Sequence, residues 1–298
     1  MSILSSISFG MFYIDIVMML RESILVNGIL TNSEIWYNMK EEHYKALETA
    51  DEDLMRQIFK AHSKTAIELL YLETGKLPLR FIISKRRLMY FWQLLRTKEN
   101  ELIRKVYNIQ KIKETKGDWY ELIVKEKQKY AIEQTDEEIV KMSKNRFKTL
   151  IEKKINVVAL EFLKKKALKH SKSRRILHEL ENKDWRKRKS YLKENHLHRD
   201  SIQLLFKLRT KMLDVKTNYA NLYNGDLICR TCRQANTVED EAHLLVCESL
   251  NGELDDDNGV RFEDVFEGIE KQVAAVKAFK AVLRKREVVN KYHEDRDK

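Results

Sequence analysis

Proline occurs once and glycine eight times in 298 residues. That is too little turn chemistry for the repeated tight reversals of an all-β sandwich or barrel. Cysteine is also scarce: three residues, an odd number, argue against the disulfide framework of a small secreted protein and suit a reducing compartment, nuclear or cytoplasmic. No long apolar run is present. Residues 1–14 are apolar, but they lack a basic start and a small-residue cleavage site, and Asp15 interrupts them. The stretch is too short to span a bilayer and reads as a buried helix, so no membrane partner is expected. Catalytic signatures are missing too. There is no Gly-rich phosphate loop, no Ser/His/Asp or Cys/His arrangement, and no hairpin with clustered acids and a lysine. The segment Tyr13-Ile14-Asp15-Ile16 comes nearest to a polymerase motif, yet isoleucine stands at position 16 where a second carboxylate is needed to hold two metal ions. On its own the chain is read as non-enzymatic.

With 43% apolar and 35% charged residues, it has core formers for two or three helical modules. The expected fold class is all-α, with long charged helices and little loop. A first helix is expected over 10–27, with Phe12, Ile16, Met19, Leu20 and Ile24 along its buried face and Gly28 as its stop. A second is expected from about Ser33 through Tyr44, Leu47, Leu54 and Ile58. Thr65 and Glu68 fit a capping box opening a short helix, Ala66 to Leu72, that ends at Gly75. Pro78 then opens a helix whose Leu77, Phe81, Leu88, Trp92 and Leu95 recur at helical spacing and read as core. Gly117 marks a break. Thr135 and Glu138 form a second capping box, expected to start a long basic helix with Ile139, Phe147, Ile151, Ile155 and Val158 on one side.

The net charge of +11 is unevenly placed. Residues 1–140 carry as many acids as bases, whereas 141–220 carry 24 bases against 8 acids, and the remainder is acidic. Concentrating the excess in one block is how a polyanion-binding surface is built; a solubilising surface interleaves both signs. The block includes KKKALKHSKSRR, with Lys164, Lys165, Lys166, Lys172, Arg174 and Arg175, which would also serve as a nuclear-import signal. It also includes KDWRKRKSYLK, with Arg186, Lys187, Arg188 and Lys189. RNA or DNA is the expected partner. Trp185 and Tyr191 either stack on unpaired bases or, as such residues more often do, anchor their segment to the body.

All three cysteines fall within 229–247, in the pattern Cys229-x2-Cys232-x10-His243-x3-Cys247. Two intervening residues let both thiolates of the first pair reach one ion from a tight knuckle. Three between His243 and Cys247 put them about one helical turn apart, and Thr237 and Asp240 are candidates to cap that helix. Four N/S ligands make a closed, structural zinc site whose binding energy folds a stretch with little core of its own. Beyond it lie the acids Glu253, Asp255, Asp256 and Asp257, read as a solvated turn, and a helix over about 262–290. Its stripe Val273, Val276, Phe279, Val282 and Leu283 is suited to a partner helix. A zinc-stabilised protein-interaction module is therefore the alternative to nucleic-acid binding.

Three stretches carry a family resemblance: LRESILVNGILTNSEIWYNM (20–39), ALETADEDLMRQIFKAHSKTAIELLYLETGKLPLRFIISKRRLMYFWQLL (46–95) and the knuckle CRTC…EDEAHLLVC. They are similar to the C-terminal part of reverse transcriptases (RNA-directed DNA polymerases) of non-LTR, LINE-type retrotransposons, over roughly residues 10–250. The resemblance implies a helical thumb-like bundle over 1–110, a basic helical linker over 111–220 and a CCHC zinc knuckle over 221–250. An acidic loop and a C-terminal helix follow over 251–298. In that family the catalytic aspartates lie in a palm upstream of these parts, and here they match nothing. Nor do the carboxylates of the endonuclease that some members carry after the knuckle. Met1 would then be an internal methionine of a decayed element.

Overall fold

The computed structural model describes residues 13–62, 65–113, 117–179, 184–187, 189–193, 197–251 and 259–296. The chain is all-α: among these residues the extended backbone pairs only at one isolated bridge, Ile228 with Val238. A helical run opens with α1 (Tyr13–Leu20), widens into a π turn (Arg21–Val26) and closes in the single turn α2 (Asn27–Ile29). After a 3-10 turn (Ser33–Ile35) come α3 (Glu41–Phe59), α4 (Ile67–Thr74), α5 (Leu79–Arg96), α6 (Leu102–Lys113), α7 (Trp119–Lys129) and α8 (Asp136–Lys141). The long α9 (Lys144–Ala167), α10 (Arg174–Glu179) and α11 (Arg199–Arg209) follow. The cysteine-bearing segment then contributes α12 (Glu241–Val246) and α13 (Glu248–Asn251), and α14 (Ile269–Arg296) ends the described chain.

Most of the core is one cluster; Val26, Leu30, Leu79 and Ile83 form a second, smaller one. The larger cluster of buried side chains runs from Ile14 and Val17 through Phe81, Phe147 and Phe206 to Cys229, Leu244 and Val282. Its centre is α5, which packs on α3, α7, α8, α9 and the 3-10 turn Ser33–Ile35. Buried ion pairs join parts of the chain far apart in sequence. The Arg21 guanidinium meets Asp51 at 2.6 Å, and Tyr71 donates to the same carboxylate at 2.8 Å. Arg209 grips both oxygens of Glu73 at 2.9 and 3.0 Å, and Tyr191 donates to Glu73 at 2.6 Å. Arg87 donates to Glu126 at 3.0 Å.

Several sequence expectations are corrected. The first helical run buries Ile14, Val17, Met18 and Arg21, while Met19 and Ile24 are 61% and 64% exposed. Phe12 lies outside the described residues. The buried face has normal helical spacing, but its fourth member is the arginine paired with Asp51, so an apolar count selects the wrong side. Gly28 does not stop the run, which continues to Ile29. The second helix starts at Glu41, not Ser33. Thr65 does not cap α4: Ala66 holds the cap position, without a side-chain bond, and the buried Thr65 hydroxyl has no partner among the described residues. The box at Thr135 and Glu138 does form, with Thr135 Oγ1 accepting from Glu138 N at 3.2 Å, but α8 ends after six residues. Ser143 caps anew and starts the long α9, whose Phe147, Ile151, Ile155, Ala159 and Leu163 form a buried seam.

The C-terminal stripe is covered by the chain itself. Val276, Phe279 and Val282 are buried, and α14 packs on α11, α12, α13 and the 3-10 turn Phe262–Phe266. The expected partner-docking face is thus occupied. The acids Glu253 to Asp257 lie outside the described residues. Among those residues no helix is long and apolar enough to cross a membrane.

Candidate metal centre and basic surface

Three local devices shape the segment from Leu227 to Leu250. A two-point clamp brings its arms together: Cys229 N donates to Thr237 O at 3.0 Å, and Glu239 N to Leu227 O at 2.8 Å. Between them the backbone turns at Cys229, with Arg233 N donating to Cys229 O at 2.9 Å. Asp240 then caps α12, its carboxylate accepting from His243 N at 2.7 Å. That bond fixes the first turn of the helix on which His243 sits. Cys247 takes the position just past the last turn. Thr237 does not cap α12. Its hydroxyl donates to Gln234 O at 2.8 Å and lies 3.3 Å from Cys232 Sγ.

These devices gather Cys229, Cys232, His243 and Cys247, whose donor atoms all lie within 4.8 Å of one another. Cys232 Sγ is 3.5 Å from His243 Nε2. In a tetrahedral zinc site, with Zn–S near 2.3 Å and Zn–N near 2.0 Å, donors stand roughly 3.5–3.8 Å apart. The cluster is thus large enough for one ion and needs to contract only slightly around it. Cys229 and Cys247 are buried, while Cys232 and His243 are half-buried.

The electrostatics of the thiols favour a cation. Burial, with the neighbouring Cys229 and Cys232, pushes the Cys247 thiol up to about 12. Burial also raises Cys232, but bonds from Thr237, the Gln234 backbone and His243 outweigh it and bring that thiol down to about 7. Crowded thiols repel one another once ionised. A divalent ion removes that repulsion and deprotonates the ligands outright.

One supporting element escapes a reading of the sequence alone. Glu239 is fully buried beside the site, held by Arg230 at 2.5 Å through Nη2, with Arg230 N also donating to it at 2.8 Å. Arg286 of α14 approaches the same carboxylate at 3.8 Å, and Thr231 Oγ1 bonds Asn290 of α14 at 3.3 Å. The metal segment is thereby fastened to the last helix. The signal is Arg230 beside Cys229 and Glu239 beside the capping Asp240, but their partnership depends on the 228–238 bridge.

The expected nucleic-acid residues divide. Lys165 and Lys187 are exposed, and Lys164 is half-buried. Lys166 lies over the Phe162 ring at 4.5 Å and Lys172 over Tyr219 at 4.4 Å. Arg186 turns inward, donating to Gly75 O at 2.6 Å, and the half-buried Lys189 donates its N–H to Glu73 O at 3.4 Å. Arg174 and Arg175 lie on α10, their side chains outside the described set, as is Arg188 altogether. Trp185 and Tyr191 are buried, donating to Asn156 O at 3.2 Å and to Glu73, so they anchor their segment and are not stacking platforms. Other bases outside the expected set, Lys144, Arg146, Lys148 and Lys153, are exposed on α9 with Lys165.

No protein-family model matches this chain, and no curated protein or solved structure is detectably similar to it.

Proposed function

We propose that this chain is a zinc-stabilised helical protein that binds RNA or DNA without sequence preference. In build we read it as the thumb, linker and knuckle of a non-LTR reverse transcriptase, with no match to that family's catalytic aspartates among these residues. The observation that carries this reading is the convergence of three cysteines and one histidine on a single metal-sized site in a strongly basic chain. The donor set of soft thiolates and an imidazole suits Zn2+, and four protein ligands leave no open position for catalysis. The zinc is structural. It fixes the segment that Arg230, Glu239 and Thr231 tie to α14. The exposed bases of α9 neutralise phosphates, so affinity falls steeply with salt.

The test is the salt dependence of binding to a fluorescent single-stranded or duplex oligonucleotide. Replacing Lys144, Lys148, Lys153 and Lys165 together with Ala is expected to flatten the log–log slope by about 0.7–0.9 for each phosphate no longer neutralised. An unchanged slope removes α9 as the binding surface, and no binding at low salt removes the reading.

One observation favours a second reading, a protein-interaction module. Leu102, Ile103, Val106, Ile109 and Ile112 of α6 are all exposed, by 44–81%, an apolar row of the kind that marks a docking face. Indifference to nucleic acid, with self-association abolished by Ile109→Lys, would favour it.

A further inference from the structure

A cavity of about 590 Å³ opens between the start of α4, the connection from α9 to α10 and the chain beyond α11. Its size is within the range of about 300–1,000 Å³ typical of small-molecule sites. The lining is two-sided. The α9–α10 connection supplies Lys169, His170 and Lys172; the facing wall supplies the accessible Met212, Tyr219 and Leu222, with Leu69 fully buried behind it. Lys169 and His170 are exposed and have no acidic partner among the described residues. The half-buried Lys172 is held with its ammonium 4.4 Å from the centre of the Tyr219 ring. Burial lowers the proton affinity of Lys172, a tendency opposed by Glu241 and reinforced by Lys211. An anion at this point would stabilise the charged form. Glu241 itself is buried behind Asn218, whose amide donates to it at 2.7 Å. Asn221 adds an exposed amide to the lining.

The exposed cations Lys169 and His170 on one side, Lys172 seated on the Tyr219 ring, and the accessible apolar surface of Met212 and Leu222 on the other side match a ligand with an anionic group and a flat apolar body. We propose that this cavity binds a nucleoside monophosphate, its phosphate on Lys169, His170 and Lys172 and its base against the accessible Met212 and Leu222. The choice of a nucleotide over another amphipathic anion rests on the nucleic-acid reading above. The nucleotide is either free or the 5′-phosphorylated terminal residue of a strand, which presents the same chemistry.

Calorimetric titration of the full zinc-loaded chain with adenosine 5′-monophosphate tests this. Saturable binding at one site is expected, with adenosine alone and inorganic phosphate alone each at least about tenfold weaker, because each engages only one of the two walls. Lys169→Glu with Lys172→Glu should weaken binding at least about tenfold. His170→Ala, a milder change, should weaken it less. Lys98→Ala with Lys105→Ala, exposed bases that do not line the cavity, should leave it intact. Displacement of the mononucleotide by a 5′-phosphorylated but not an unphosphorylated oligonucleotide assigns the site to a strand end; no displacement assigns it to free nucleotide. A flat titration, or binding indifferent to the 169/172 charge reversal, overturns the proposal. If oligonucleotide binding with its salt slope persists while the titration is flat, only the cavity proposal fails; loss of both sinks the nucleic-acid reading as well.

Discussion

Glu73 shows how much a single buried carboxylate organises. It receives Arg209 through two bonds and Tyr191 through a third, so residues 136 and 118 positions apart in sequence meet on one side chain. Burial tends to raise its pKa, but the Arg209 guanidinium outweighs that and holds it below its ordinary value of 4.5. A depressed folded-state pKa means the unfolded chain binds the proton more readily. The contribution of this pair is therefore complete above about pH 4.5 and is lost as the pH falls through the lower folded value. Arg209→Ala should cost about 3–5 kcal/mol in urea unfolding, since it leaves a buried carboxylate unpaired. A loss under about 1 kcal/mol would mean the pair is not formed. Two residues on, Gly75 sits at φ +65° with the Arg186 carbonyl oxygen only 2.4 Å from where a Cβ would be. Gly75→Ala should destabilise by about 1–3 kcal/mol, through both the left-handed backbone and the clash, read again in urea unfolding. The stretch LYLETG is distinctive in the sequence, but its partners are not legible there, because Arg209, Tyr191 and Arg186 belong to a segment whose bases read as outward-facing.

At the level of elements, local chemistry is legible and register is not. The pairs Thr135–Glu138 and Asp240–His243 cap as their spacing dictates, because capping needs only neighbours in sequence. Thr65 has the same spacing to Glu68, yet the chain enters α4 one residue later and its hydroxyl is left without a partner among the described residues. The first helical run turns a different face inward than its apolar pattern suggests, because tertiary pairing of Arg21 with Asp51 puts a charge where the pattern demands an apolar residue. The tail stripe is apolar as its sequence says, but its covering is invisible there: α11 folds back onto it from far upstream, joining the neighbouring 3-10 turn Phe262–Phe266. The cap on α12 has a testable consequence. Asp240→Ala should cost about 1 kcal/mol of stability. Because His243 N is its partner, the change should also weaken zinc affinity by about tenfold, as loss of a ligand-orienting bond does. Unchanged affinity in a chelator competition would separate the cap from the metal site.

For the whole molecule, the metal segment is not an appendage. Cys229, Leu244, Cys247 and Leu250 belong to the same buried cluster as Phe147 and Phe206, and Glu239 and Thr231 tie the segment to α14. Removing zinc should therefore be felt beyond residues 227–250, as a lowered thermal midpoint of the helical signal. The cysteine and histidine spacing alone locates all four candidate ligands, since the geometry it encodes is short-range. The fastening to α14 is hidden from the sequence, because Thr231 and Asn290 lie 59 residues apart. What most directly tests this account is the zinc content of the chain purified without added metal, measured by plasma mass spectrometry beside Cys232→Ser with Cys247→Ser. One zinc ion per chain, falling to near zero in the double variant, is the predicted result. A wild-type chain free of zinc, or a double variant that keeps its full complement, would contradict it.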